Sequence, residues 1–157
     1  MYELFNIKNR IIAITGGTGV LGASMVEYLA AHGAKVAVLA RNKEKGDKLI
    51  HRVIADGGDA VFLQTDVTDE KILEHNAQDI VNRYGKVDVL INGAGGNMPG
   101  ATIGPGSTIF DLKSDDFRKV VDLNLMGTVI PTLVFAVALF TPSILPKTIE
   151  LFCSTIA

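Results

Sequence analysis

The sequence is poor in the residue types that cross-link a chain or bind a metal. It contains one cysteine, Cys153, and three histidines that stand far apart at positions 32, 51 and 75. One cysteine excludes an internal disulfide, and scattered histidines form no metal-ligand cluster. This usage is typical of a reduced intracellular compartment, and the first residues show no signal-peptide pattern. We therefore expect a cytoplasmic protein without a bound metal.

A surplus of one charge sign is absent as well. The 157 residues include 15 basic and 17 acidic side chains, which gives a net charge of −2. Without a basic block, we expect no nucleic-acid partner. A content of 48% hydrophobic and 20% charged residues predicts one globular domain over residues 1–157.

One long segment, residues 123–146, contains no charged residue and is long enough to cross a bilayer. Gly127, Pro131 and Pro142 interrupt it, and no basic flank marks an inside end. We therefore expect a buried helix of an α/β domain here and no membrane partner.

Glycine, by contrast, is concentrated where apolar segments end. The run Ile11–Ile14 passes through Thr15 into a glycine cluster, and an amphipathic segment follows, which indicates strand, tight turn and helix. Residues 17–22 fit G-x-G-x-x-G, in which glycines allow the turn and the close approach of a pyrophosphate to the helix N-terminus. An ordinary glycine-rich turn is the alternative.

Apolar strands alternate with amphipathic helices over the first ninety residues. The predicted strands are residues 10–15, 35–40, 60–65 and 87–91. The predicted helices are residues 20–32, 42–55 and 68–84. Thr68 is the predicted cap of the third helix, and Ile72 and Leu73 are expected to face inward. This order predicts a Rossmann-type α/β fold, a doubly wound parallel sheet with helices on both faces. Ligands bind beyond the carboxyl ends of such strands, so segments 15–22, 41, 66–67 and 92–96 should meet in one crevice.

The pattern weakens after the fourth strand. Residues 97–113 predict a loop, and Ser114 predicts the cap of a helix that continues past Pro131 with a kink there. Residues 148–153 predict a fifth strand, within an atypical tail that covers residues 137–157.

Four separated motifs resemble those of the short-chain dehydrogenase/reductase family, in order and spacing over residues 7–130. They are the glycine turn at 15–22, the pair at 66–67, the segment at 92–95 and the helix segment at 122–127. The resemblance implies an oxidoreductase that transfers hydride between NAD or NADP and a carbonyl or hydroxyl carbon of a small molecule. The cofactor-binding residues that it implies are Thr15, Gly16, Gly17, Thr18, Gly19, Val20, Leu21, Gly22, Arg41, Asp66, Val67, Asn92, Gly93, Ala94 and Gly95.

Single residues acquire roles from this resemblance. It implies that Asp66 lies beside the adenine, that Asn92 steadies the central sheet and that Asn124 holds a water in a proton relay. Ser154 lies near the place of the family's catalytic serine. Each also has a plainer interpretation, since Asp66 can simply end the turn before Thr68 and Asn92 can be a turn residue.

Arg41 bears on the choice of cofactor, because it stands where the family's ribose-binding acid would be. An arginine there can pair with a 2′-phosphate and favours NADP over NAD, whereas a solvated arginine at the start of a charged helix is the alternative. Residues 91–102 also resemble the subgroup that interconverts fructuronate and mannonate, which implies a sugar-acid substrate.

Two departures from the family accompany these matches. Val20 replaces a glycine of T-G-x-x-x-G-x-G, and the resulting spacing is that of the extended branch, although the Asn92 and Asn124 motifs favour the ordinary branch. The tyrosines, Tyr2, Tyr28 and Tyr84, are not followed by lysine four residues later, so the family's proton-donating pair is not in this sequence.

These departures predict a truncated or frame-disrupted copy with little or no turnover alone. The alternative is a dinucleotide-binding module without chemistry, or a partner of a full-length copy. The helix around residues 133–140 is apolar nearly all round, so we also expect a homo-oligomer or a self-associating chain.

Overall fold

A sheet of four parallel strands, with helices between the strands, forms the centre of the fold. The computed structural model describes residues 6–140. The strands are β1 (Ile11–Thr15), β2 (Lys35–Ala40), β3 (Asp59–Gln64) and β4 (Val89–Asn92), in the sheet order β3-β2-β1-β4. Helices α1 (Val20–Ala31), α2 (Lys43–Ala55) and α3 (Glu70–Tyr84) connect them. The predicted Rossmann-type fold is confirmed, with each strand within two residues of its expected bounds.

The chain after β4 is a loop followed by one long helical segment. The loop contains two short 3₁₀ turns, Pro99–Ala101 and Ile109–Asp111. Helix α4 (Ser114–Val121) then passes through a π-helical segment (Asp122–Met126) into α5 (Gly127–Phe140). The residues predicted as a fifth strand, together with Cys153 and Ser154, lie outside the described residues.

Strand β1 is buried on both faces and divides the core in two. Ile11 and Ala13 point to the side that α3 and α5 cover, where they join Leu73, Ile80 and Phe135. Ile12 and Ile14 point to the opposite side and pack with residues of α1 and α2. Side chains alternate along a strand, so a continuous apolar run supplies both layers of a doubly wound fold.

Asp88 fastens the amino-terminal end of the sheet, away from the crevice. Its carboxylate accepts a hydrogen bond from the Ile11 N–H at 2.9 Å. It also forms ion pairs with Lys86 at 2.7 Å and with Arg10 at 3.3 Å. Burial by itself raises the pKa of Asp88, but the Ile11 N–H and the two cations outweigh it and hold the pKa below its ordinary value.

Two predicted helix caps are wrong. Helix α3 begins after Asp69, whose carboxylate accepts from the Ile72 N–H at 3.1 Å, while Thr68 donates its hydroxyl to Asp66. Helix α4 follows Lys113, and Ser114 is its first helical residue rather than its cap. The inward position of Ile72 is also wrong, because 38% of it is exposed, whereas Leu73 is fully buried.

The described part of the segment predicted as a buried helix, residues 123–139, is mostly exposed or half-buried. It passes Pro131 as expected, but its irregular part is the π-helical segment upstream. Pro131, Phe135 and Ala138 are buried. In the apolar 18-residue stretch of this helix, however, only 17% is buried. Within the described chain, residues 114–139 form one helix long and apolar enough to span a membrane, a test that core helices of soluble proteins also pass.

Leu73 and Ile72 are adjacent on α3 and provide a matched test of this core. Leu73→Ala should lower the free energy of unfolding by about 2–5 kcal/mol, because it opens a cavity beneath the sheet. Ile72→Ala should cost less than about 1 kcal/mol, because that side chain is partly in solvent. Urea unfolding of both variants measures the difference, and equal losses would contradict the assigned register of α3.

Candidate functional site

A cleft of about 270 Å³ lies at the carboxyl ends of the strands, where the sequence predicts a crevice. All four strands contribute to it through the segments that follow them, and Leu123 of the π-helical segment closes one side. The cleft is lined by Gly16, Thr18, Gly19, Leu39, Ala40, Arg41, Asn42, Lys45, Thr65, Val67, Gly93, Ala94, Gly95 and Leu123.

The glycine turn after β1 is shaped by close backbone packing. Gly16 has a φ of +67°, and a Cβ on it would lie 2.5 Å from the Gly93 carbonyl oxygen. A Cβ on Gly22 would collide with the Gly16 carbonyl oxygen. Gly19 differs, because a Cβ there would meet only that same oxygen, at 3.3 Å, and otherwise open space. Gly16 and Gly22 therefore build the turn, and Gly19 leaves room for a ligand to approach the backbone.

Helix α1 presents its N-terminus to the cleft without a side-chain cap. Asn42 caps α2 and Asp69 caps α3, but the N-cap of α1 is Gly19, and within residues 6–140 no side chain accepts from the first turn of α1. Val20 and Leu21 in that turn are 89% and 79% exposed. Unsatisfied N–H groups and the helix dipole together favour an anion at this position.

Thr15 lies beneath the turn and ties β1 to the chain after β4. Its fully buried hydroxyl oxygen accepts from the N–H groups of Gly93 and Ala94 at 3.1 and 3.2 Å. Gly17 is buried as well, and a Cβ there would lie 2.9 Å from the Val38 side chain. These residues support the turn from inside and do not line the cleft.

Asp66 is turned toward its own loop. One carboxylate oxygen accepts from the Thr68 N–H at 3.0 Å and from the Thr68 hydroxyl at 2.7 Å. These hydrogen bonds, helped by the charge of Arg41, hold the pKa of Asp66 below its ordinary value. These contacts are the ones that the plainer interpretation of Asp66 expects, and the neighbours Thr65 and Val67 line the cleft.

Asn76 is a buried site-supporting residue that sequence reasoning missed. From α3 its amide donates to the Thr65 hydroxyl at 2.8 Å and to the Gln64 carbonyl at 3.1 Å, which fixes the end of β3 beside the cleft. Its spacing along α3 could have indicated this role, because Asn76 shares the inward face of the helix with Leu73 and Ile80. A polar residue on an apolar face needs a partner.

The cleft has a basic edge at the end of β2. Lys43 and Lys48 on α2 pair with Asp47 and Glu44, at 2.9 and 2.6 Å. Arg41 and Lys45 line the cleft instead, and within the described chain their side chains make no hydrogen bond or ion pair, although the charge of Arg41 acts on Asp66. Lys45 was missed, although its spacing of four from Arg41 places both near one helix end.

Asn92 and Asn124 hold the loop that follows β4, here called the β4 loop (residues 92–96). Asn124, in the π-helical segment, accepts from the Gly96 N–H at 3.0 Å and donates to the Gly96 carbonyl at 2.7 Å. Asn92 donates to the Thr132 hydroxyl at 2.9 Å and does not line the cleft. The structure therefore places both amides behind the β4 loop.

Each of the four motif segments contributes at least one residue to the lining of this cleft. The sequence profile of the short chain dehydrogenase family matches residues 10–142. The chain belongs to the short-chain dehydrogenase family.

Individual members share both sequence and structure with it. An uncharacterized oxidoreductase of Bacillus subtilis, UxuB, is 40% identical over 138 residues, which cover 83% of this chain and 50% of that protein. A candidate D-mannonate oxidoreductase from Haemophilus influenzae, solved with bound NAD, is 34% identical with a TM-score of 0.79 over 85% of this chain and 51% of the other. A xylitol dehydrogenase bound to NAD⁺ is 28% identical with a TM-score of 0.76, and the match covers 84% of this chain and 48% of the dehydrogenase. The chain spans about half the length of the relatives it matches.

Gly16 and Gly57 allow the tight packing of the turn to be measured. Both have a positive φ, but around Gly57 no described atom lies within 4 Å of the place that a Cβ would take. Gly57→Ala should cost about 1–2 kcal/mol of unfolding free energy for the backbone conformation alone. Gly16→Ala should cost about 1–3 kcal/mol more, because it overpacks against the β4 loop. Urea unfolding of both variants tests this, and equal costs would show that the contact is not tight.

Proposed function

We propose that this chain is the dinucleotide-binding part of an NAD(P)-dependent oxidoreductase that acts on a sugar acid. The observation that carries the proposal is the uncapped N-terminus of α1 beside Gly19, at the one edge of the sheet where the segments after all four strands meet. A pyrophosphate fits there, because free N–H groups face it and no Cβ obstructs its approach.

The sheet order sets the direction in which a dinucleotide would lie. With the pyrophosphate at α1, one half extends over β2 and β3 and the other toward β4. The residue after β2 is the one that contacts the adenosine ribose in such folds, so the adenosine belongs beside Arg41 and Val67. The nicotinamide then belongs beside the β4 loop and Leu123.

The bound nicotinamide would supply the hydride chemistry, and the protein would supply position. Gly16, Gly19 and the first turn of α1 would hold the phosphates, while Thr15 and Asn124 keep the β4 loop in place. The proton that accompanies hydride transfer needs an acid, and no tyrosine of this sequence has the lysine partner that the family pattern requires.

NADP is the dinucleotide that the basic edge favours. Arg41 and Lys45 line the adenosine side of the cleft, and among residues 6–140 neither side chain forms an ion pair, although the charge of Arg41 acts on Asp66. Asn42 lies between them. A 2′-phosphate would place a negative charge directly beside these cations and accept several hydrogen bonds from the guanidinium.

Arg41→Ala should therefore change the choice of cofactor. Affinity for NADPH should fall about 10- to 100-fold, since a charge-assisted hydrogen bond contributes about 1.5–3 kcal/mol, whereas affinity for NADH should stay within about twofold. Fluorescence titration of both dinucleotides measures this. Lys48→Ala, which removes a lysine already paired with Glu44, is the control and should change neither. Equal losses of NADPH and NADH would contradict the 2′-phosphate assignment.

The sugar acid is proposed from the residue 91–102 resemblance and is supported by the candidate D-mannonate oxidoreductase among the structural relatives. Cytoplasmic residence is proposed from the same family membership. Association with a second copy is supported by the outward face of the helical segment that runs from α4 to α5. Apolar residues recur there at every fourth position and are exposed. They are Phe117, Val121, Leu125, Val129, Leu133 and Val137.

A second candidate function is a dinucleotide-binding module without chemistry, or a partner of a full-length copy. The observation that favours it is the set of tyrosines, none of which is followed by a lysine four residues later. Both candidates require the same cleft, so cofactor binding does not separate them, but turnover does.

The purified 157-residue chain should bind NADPH or NADH below millimolar concentration yet oxidise neither at a steady rate with sugar acids or simple ketones. The cleft supplies binding, whereas the proton donor is missing. Dinucleotide fluorescence and absorbance at the reduced-nicotinamide band measure the two properties. Steady oxidation would refute the inactivity, and absence of binding at millimolar dinucleotide would refute both candidate functions.

A further inference from the structure

Thr132 on α5 joins the helix to the start of the β4 loop. Its hydroxyl donates to the Thr128 carbonyl one turn earlier, at 2.7 Å, and accepts from the Asn92 amide at 2.9 Å. A hydroxyl has one proton and two lone pairs. Because the proton is committed to the helix backbone, the oxygen is oriented as an acceptor toward Asn92.

The far end of the same loop is held by the same helical segment. Asn124, two turns before Thr132, bonds both the N–H and the carbonyl of Gly96. Between these ends, the N–H groups of Gly93 and Ala94 donate to Thr15 of β1. The β4 loop is thus fixed at its start by Thr132, in its middle by Thr15 and at its end by Asn124.

We propose that Thr132 is a positioning residue, which acts through Asn92 to hold the β4 loop at the nicotinamide end of the cleft. The assignment of that end rests on the proposed function, whereas the effect on the loop does not. Gly93, Ala94 and Gly95 line the cleft with little more than backbone atoms, so their placement depends on what holds the loop from behind.

Thr128 provides a control within the same helix. Its hydroxyl makes the same kind of bond, to the Asn124 carbonyl at 3.0 Å, but forms no hydrogen bond with residues 92–96. Thr132→Val and Thr128→Val each replace a hydroxyl by a methyl of similar shape and each remove one bond to a helix carbonyl. Only Thr132→Val also removes the acceptor of Asn92. Thr132→Ser keeps the hydroxyl and should restore the wild-type behaviour.

The first measurement is amide exchange at Gly93 and Ala94 by NMR, in the full chain without ligand. Thr132→Val should speed exchange at these two amides about fivefold, the size expected for one lost neutral hydrogen bond, while amides of β1 and β2 stay unchanged. Unchanged exchange in Thr132→Val, or the same increase in Thr128→Val, or no recovery in Thr132→Ser, would each overturn the inference.

The second measurement separates the two ends of the cleft by titration with NADH and with ADP-ribose, which lacks the nicotinamide. Thr132→Val should weaken NADH about fivefold and leave ADP-ribose within about twofold, because the β4 loop lies at the other end. Equal weakening of both would overturn the placement of Thr132 at the nicotinamide end. If the wild-type chain binds neither probe, the proposed function fails, and the exchange experiment still decides whether Thr132 positions the loop.

Discussion

The cleft depends on close contact between two pieces of backbone, the turn at Gly16 and the β4 loop. Gly16 can occupy its place because it tolerates a positive φ and has no side chain to strike the Gly93 carbonyl. Thr15, the residue before it, receives two amide donors from the same loop. Backbone packing, rather than the size of any side chain, therefore sets the separation between the end of β1 and the end of β4.

The strands and the position of the cleft were predictable because each signal is local. β1 and β2 are buried on both faces, so they form unbroken apolar runs that end in a polar residue or glycine. The four motifs stand at the ends of β1, β3 and β4 and on the helical segment that faces them, and parallel strands bring those ends together. The family followed from that arrangement as well as from the residue types.

Features decided by competition between neighbours could not be inferred from the sequence. Thr68 has the chemistry of a helix cap, but its hydroxyl is turned toward Asp66, to which it donates, and α3 begins one residue later with Asp69 as its cap. Ile72 and Leu73 are similarly apolar and adjacent. Which of the two faces the core depends on the residue at which α3 begins, because that residue sets the orientation of every side chain along the helix. The partner of Asn92 lies 40 residues away on α5, and the roles of Asn76 and Lys45 likewise depend on contacts that only the fold creates.

The helix that holds the β4 loop is also among the least buried in the described chain. Most of its outward apolar side chains lie in solvent, and it is anchored mainly through Pro131, Phe135 and Ala138 near its far end. Segments with few buried contacts open locally at lower free energy than the core of a sheet. The π-helical segment and α4 should therefore open at lower free energy than the sheet, and a surface that covered them would also steady the β4 loop, which Asn124 holds.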